Sequence, residues 1–183
     1  MSLIEILQDL VAKVPELLQP VIVAAAGAIP FIEGEGGVAI GIIGGINPVV
    51  AAIAAAVGNF LCVAALVLLS SGARNAVVTR HRAKVAARAG AADGGETVLM
   101  TAPAEDGSRS ATRKAKFQRA YERYGVPGVS LLGPLLLPTH FTATMLAASG
   151  VGKTRILIWQ AIAIIAWTTL TALIISGVLG AVG

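Results

Sequence analysis

The chain has 183 residues, of which 56% are hydrophobic and 13% are charged, with a net charge of +4 and a mean hydropathy of +0.80. Soluble domains carry about 25% charged residues, so the composition excludes an ordinary soluble protein and predicts an all-α integral membrane protein. The single cysteine, Cys62, excludes a disulfide framework and a cysteine-based metal site, and we expect no cofactor and no metal.

The first segment, residues 1–19, alternates apolar and polar residues with the period of an amphipathic helix. Its polar face carries Glu5, Asp9 and Lys13, and the pattern predicts a helix that lies on the membrane or on a partner. Pro15 and Pro20 end it. We expect no removable signal peptide, because the N-terminus lacks a basic region and a small-residue cleavage site. The predicted apolar face consists of Leu3, Ile6, Leu7, Leu10, Val14 and Leu17.

Residues 20–46 form two short apolar arms separated by Glu33 and Glu35, the only acidic or basic residues between Leu17 and Ala73. Each arm is too short to cross a bilayer core of about 30 Å. The segment is therefore either one interrupted span or a re-entrant hairpin whose tip holds the two glutamates. Charged residues at membrane depth usually mark a substrate or proton pathway; the alternative is a glycine-rich turn at the membrane surface. The predicted breaks are Pro30, Gly34, Gly36 and Gly37.

Residues 47–73 predict a transmembrane helix that opens with Asn47 and Pro48. Residues 74–124 are rich in lysine and arginine, and we interpret them as a cytoplasmic loop with surface helices, which places the chain in the plasma (inner) membrane as a multi-pass protein. Two interpretations of these basic residues remain open. They either fix the membrane topology and attract anionic lipid head groups in general, or they recognise a particular phosphate-bearing lipid. We expect no nucleic-acid partner. The candidate head-group contacts are Arg74, Arg80, Arg123, Lys153 and Arg155.

Residues 125–150 repeat the pattern of a short apolar arm, a broken polar tip and an apolar return, with Pro134, Pro138 and Thr139 as the breaks. A second transmembrane helix is predicted over 152–180. The chain thus predicts an inverted repeat of two broken or re-entrant hairpins, each followed by a full span. In that arrangement the tips meet near the bilayer midplane and bring Glu33 and Glu35 toward His140.

The run Ile29-Pro30-Phe31-Ile32-Glu33-Gly34-Glu35-Gly36-Gly37, followed by Gly44-Gly45-Ile46-Asn47-Pro48 and Gly58-Asn59, resembles the small multidrug export protein family. That family is distantly related to the DedA (VTT-domain) superfamily. The resemblance implies two facing re-entrant hairpins and either export of small amphipathic compounds or lipid flipping. It covers residues 20–70 best, and the second hairpin lacks the arginines that DedA-like proteins carry there.

These observations together predict a small, proton-coupled secondary transporter for an amphipathic substrate, either a small cationic compound or a lipid. The predicted transport and proton site comprises Glu33, Glu35 and His140. We expect a homodimer, surrounded by membrane lipids, and no enzymatic activity, since no paired nucleophile and base stands out. The alternative is a non-transporting protein that assembles membrane complexes or organises the bilayer.

Overall fold

A computed structural model describes residues 2–89 and 124–182, and within these ranges the chain is helical and contains no strand. The first half holds α1 (Leu3–Lys13), α2 (Gln19–Gly27), α3 (Glu33–Ile43) and α4 (Pro48–Ala89). The second half holds a helix over 124–132 (α5), a 3-10 turn (Gly133–Leu135), α6 (Thr139–Ala148) and α7 (Lys153–Val182). An all-helical architecture was predicted and is confirmed for the described residues.

Helix α1 starts at a capping box in which Ser2 and Glu5 each bond the other's backbone amide. Its face is narrower than predicted: Leu7 and Val11 are buried, whereas Leu3, Ile6 and Leu10 are about half exposed. The helix also ends at Lys13, so Val14 and Leu17 do not extend this face. The residue before a proline is disfavoured in the α region, and Val14 precedes Pro15 in extended conformation.

Helices α2 and α3 pack side by side as an antiparallel hairpin. A Cβ on Gly37 would lie 3.0 Å from the Gly27 amide nitrogen, and a Cβ on Gly41 would lie 3.0 Å from Val23 Cγ2. Later residues of α3 therefore contact earlier residues of α2, as expected for two antiparallel helices. This geometry excludes a straight interrupted span, in which the two helices would follow one another end to end.

The break in this hairpin lies at residues 28–32, with Phe31 at φ +74° and Glu33 at φ +55°. Pro30 lies in the break as predicted. The prediction was wrong for Gly34, Gly36 and Gly37, which lie inside α3. Gly34 and Gly37 are required by close packing: a Cβ on Gly34 would overlap Thr168 Oγ1, and one on Gly37 would meet α2.

Helix α4 continues well past the predicted boundary at residue 73 and ends at Ala89. The sequence between 49 and 89 contains no proline. The change from apolar to basic composition at Arg74 alters the solvent that the side chains prefer, but it does not interrupt backbone hydrogen bonding. The helix predicted for the first part of the basic segment is therefore not a separate surface helix, because residues 74–89 continue α4 without a break.

Helices α4 and α7 run antiparallel and carry the two hairpins one after the other along their length. The early part of α4, at Ala51, shares a core with α1–α3 and with Ala172 late in α7. The later part of α4, at Val63, shares a second core with α5, α6 and Ile156 early in α7. Each hairpin therefore occupies one half of the α4–α7 pair, and the hairpin tips face each other between the two cores.

Within residues 2–89 and 124–182, two helices are long and apolar enough to cross a membrane, Pro48–His81 and Lys153–Ala181, with mean hydropathies of 2.5 and 2.2. Only 28% and 22% of their most apolar windows are buried. The core helix of a soluble protein passes the same hydropathy test but is buried over most of its surface. The outward apolar side chains include Ile53, Leu61, Leu69, Ile158, Ile165 and Leu173.

The second broken segment differs from the first in its break. Pro134 lies in the 3-10 turn, Pro138 is the N-cap of α6, and Thr139 begins that helix. The Trp167 indole nitrogen donates to the Leu131 carbonyl oxygen at 2.8 Å and so satisfies a backbone acceptor where α5 ends.

Candidate functional site

The two hairpin tips meet at the side chain of Glu33, which is 6% exposed at the first residue of α3. Thr139 Oγ1 donates to Glu33 Oε2 at 2.7 Å. His140 Nδ1 lies 2.9 Å from Glu33 Oε1. The structure thus brings Glu33, Thr139 and His140 together from positions more than a hundred residues apart, and we call these three residues the tip junction.

Glu33 of the tip junction also interacts with the N-terminus of α6. Pro138, the N-cap, makes no capping bond through its side chain. The Glu33 carboxyl instead accepts a long hydrogen bond of 3.5 Å from the His140 backbone amide. A carboxylate is favourable at a helix N-terminus because the first amides have no partner within the helix. Glu33 therefore caps a helix that belongs to the other hairpin.

Only one of the two ring nitrogens of His140 makes a hydrogen bond within the described residues. An ionised carboxylate can only accept hydrogen bonds, so Nδ1 carries the hydrogen when Glu33 is charged. The other ring nitrogen, Nε2, is buried and has no hydrogen-bond partner among the described residues. His140 is 3% exposed, so Nε2 is a hydrogen-bonding atom that is left unsatisfied away from solvent.

Polar side chains continue from the tip junction to α7. Thr142 Oγ1 donates to the Thr139 carbonyl oxygen at 2.9 Å, and Gln160 Nε2 reaches Thr142 Oγ1 at 3.4 Å. Gln160 is fully buried, and its Oε1 has no hydrogen-bond partner among the described residues. Buried polar atoms without partners are rare in folded proteins, and this network holds two of them, His140 Nε2 and Gln160 Oε1.

Asn59 and Thr168 lie next to Gly34, the second residue of α3. Both are 1% exposed, and within the described part of the chain Asn59 Oδ1 and Thr168 Oγ1 have no hydrogen-bond partner. The sequence reasoning missed both residues as site candidates. A signal existed for Asn59, because this polar residue interrupts the apolar stripe formed at four-residue spacing by Ala51, Ala55, Val63 and Val67.

Glu35 does not join the tip junction. It is half-buried, and it lies two residues after Glu33, which corresponds to about 200° around an ideal helix. It shares a four-residue stripe with half-buried Ala39 and exposed Ile43. The structure therefore shows Glu33, but not Glu35, bonded to the other hairpin tip, and a role of Glu35 in the same site stays a prediction.

Two aromatic rings lie across the junction of the tips. The Phe31 and Phe141 ring centroids are 5.8 Å apart, with the planes tilted by 54°. This spacing is typical of a favourable aromatic pair. Phe31 is 72% exposed, so the pair lies at the outer surface of the bundle.

The basic candidates that the structure describes lie away from this site. The Arg74 guanidinium lies against Gly150, at the end of α6 opposite the tip junction. Arg80, Lys153 and Arg155 are exposed, and Arg123 lies outside the described residues. Within 2–89 and 124–182, no group of three or more histidine, cysteine, aspartate or glutamate residues could hold a metal ion.

Comparison with protein-family models, curated proteins and solved structures gave no match.

Proposed function

We propose that this chain is a multi-pass protein of the plasma (inner) membrane, in which α4 and α7 cross the bilayer with the basic segment on the cytoplasmic side. The outward apolar side chains of both helices support this placement. The hairpins then enter from opposite faces and form an inverted repeat. Asn59 lies about 17 Å along α4, close to the middle of a bilayer core about 30 Å thick.

We infer that the protein is a small, proton-coupled secondary transporter for an amphipathic substrate. The observation that carries this proposal is the tip junction: an ionisable carboxyl and an imidazole with a free nitrogen, buried between two broken hairpins. Secondary transporters with inverted repeats place their sites between broken helices near the midplane. A merely structural joint would not require two titratable groups there.

In this proposal, proton binding at the tip junction is coupled to the opening of the hairpin tips through the charges of Glu33 and His140. With Glu33 ionised and His140 neutral, the junction carries a net charge of −1. A proton bound at His140 Nε2 makes an ion pair and strengthens the contact between the tips, whereas a proton bound at Glu33 removes one acceptor and weakens it. Binding and release of protons from opposite sides then open the tips alternately.

A cationic substrate fits this site better than a lipid phosphate. The described part of the bundle interior offers carboxyls and neutral polar groups, and Arg74 lies at the far end of α6. A phosphate at the tip junction would meet a carboxylate without a balancing guanidinium. We therefore propose export of a small cation, with lipid flipping as the second substrate class.

The alternative is a non-transporting protein that assembles membrane complexes or organises the bilayer. The observation that favours it is the cap that Glu33 provides to α6, because capping is a static task. In this alternative the tips remain joined throughout.

Proteoliposomes with an imposed pH gradient distinguish these functions. We expect ethidium uptake that collapses the gradient, falls at least tenfold in Glu33→Gln and is unaffected by the exposed control Lys13→Gln. Gradient-independent scrambling of a fluorescent phospholipid, without ethidium uptake, would instead support lipid flipping. Absence of both fluxes from folded protein would contradict the proposal.

A cross-link between the tips tests the motion directly. In a Cys62→Ala background, Phe31→Cys with Phe141→Cys joined by a short bifunctional thiol reagent should stop uptake. Each single cysteine, treated with the same reagent, is the control. Full uptake by the cross-linked protein would show that the tips need not separate.

A further inference from the structure

The two glutamates differ in their surroundings. Glu33 has bonds to Thr139 and His140 and is nearly inaccessible. Glu35 is half-buried, and within the described chain its carboxyl has no hydrogen-bond partner beyond its own backbone. The Glu33 carboxyl is thus occupied by hydrogen bonds that join the two hairpin tips, whereas the Glu35 carboxyl is free to bind a ligand.

Among the residues that the structure describes, Glu35 has no counter-ion. Helix α2 has no ionisable residue, and in α4 and α7 the charged residues are confined to 74–89 and 153–155. On α1, Lys13 is already paired with Asp9 at 2.6 Å. Glu33, two residues earlier, is the nearest acidic residue along the chain, and two ionised carboxylates repel each other. A positive ligand at Glu35 would relieve this repulsion and supply the missing counter-ion.

We propose that Glu35 is the carboxyl that binds the substrate, an amphipathic cation that enters sideways from the bilayer, and that Glu33 keeps the tips joined. The assignment rests on the proposed transport function. The stripe of Glu35, Ala39 and Ile43 faces outward on α3, so an apolar cation dissolved in lipid meets this carboxyl before it meets the tip junction.

Dicyclohexylcarbodiimide tests this assignment because it is lipid-soluble and reacts with neutral carboxylic acids. The acid proton goes to one carbodiimide nitrogen, the carboxylate oxygen bonds to the central carbon, and rearrangement gives a stable acylurea. In vesicles that contain the full chain, peptide mass spectrometry should find the adduct on Glu35 at least tenfold more often than on Glu33. Tetraphenylphosphonium should reduce Glu35 labelling several-fold.

Two comparisons complete the experiment. Glu33→Gln should retain labelling at Glu35, whereas Glu35→Gln should lose the adduct and phosphonium binding. A water-soluble carbodiimide should label Glu35 poorly; equal labelling by both reagents would overturn entry from the lipid. Labelling of Glu33 in place of Glu35, or no protection by the phosphonium ion, would overturn the assignment. Labelling that appears only after dispersion into detergent monomers would overturn it in favour of an interface between copies.

The results also distinguish a failure of the proposed transport function from a failure of the Glu35 assignment. If Glu35 is labelled and protected but vesicles show no ethidium flux, transport is contradicted and the binding site stands. If flux is lost in Glu33→Gln yet normal in Glu35→Gln, with no adduct on Glu35, transport stands and the assignment is overturned.

Discussion

At the scale of the residue, Glu33 is held by its bonds to Thr139 and His140. We expect Glu33→Ala to lower the free energy of unfolding by about 2–4 kcal/mol, because two buried polar groups lose their partner. Glu33→Gln keeps an acceptor and a similar volume and should cost less than half as much. Thermal unfolding in detergent, followed by circular dichroism, measures both. Equal stability of Glu33→Ala and the natural protein would show that the tip junction contributes nothing to the fold.

Gly34 and Thr168 form a second residue-scale test. A Cβ on Gly34 would overlap Thr168 Oγ1, while Thr168 Cβ would lie at an acceptable 3.4 Å. Gly34→Ala should therefore cost about 1–3 kcal/mol through overpacking. Thr168→Ala removes a buried hydroxyl without a partner and should be nearly neutral. The double variant should recover most of the loss, and additive losses in this double-mutant cycle would contradict the contact.

The sequence could predict which residue types form the site but not how they are arranged. Glu33 and His140 are conspicuous because charge is rare in this chain. The separation of Glu33 from Glu35 could not be predicted, because it depends on α3 starting at Glu33 after a turn with positive φ at Phe31 and at Glu33 itself. Thr168 gave no signal, since threonine is common in apolar helices.

At the scale of the element, glycine decides how closely the helices approach. A Cβ on Gly58 would overlap the Ala24 carbonyl group, which is backbone and cannot rotate away. We expect Gly58→Ala to separate α2 from α4 and to cost at least 2 kcal/mol, at the upper end of the range of about 1–3 kcal/mol for overpacking. The matched control is Gly72→Ala on the same helix, where nothing lies within 4 Å. That variant should gain up to about 1 kcal/mol from helix propensity. Similar thermal unfolding of both variants would contradict this packing.

The elements themselves were largely predictable from proline, glycine and apolar length. Two long helices and two broken segments followed from these signals, and the first break lies at Pro30. The end of α4 could not be predicted, because composition reports where a side chain prefers water and not where a helix stops. The glycines of α3 were misread for a related reason: glycine marks both turns and close contacts, and Gly34 and Gly37 serve the second purpose.

At the scale of the whole molecule, the proposed topology predicts which ends are accessible. In a Cys62→Ala background, Glu16→Cys should react with an impermeant maleimide added to intact cells. Met100→Cys, in the basic segment, should react only after permeabilisation. Each variant is also labelled after detergent treatment to show that its thiol is reactive. The reverse pattern would invert the proposed orientation, and equal reaction of both in intact cells would contradict a membrane-crossing α4.

The continuity of α4 has a mechanical consequence. Its 42 residues extend about 63 Å, roughly twice the thickness of a bilayer core. In the proposed topology, the helix that carries Asn59 beside α3 continues through the head-group layer and beyond it, with Arg74 and Arg80 on that extension. Because the extension and the segment beside α3 belong to one uninterrupted helix, we expect a protein or lipid that binds the basic end of α4 to shift the helix next to the hairpin tips.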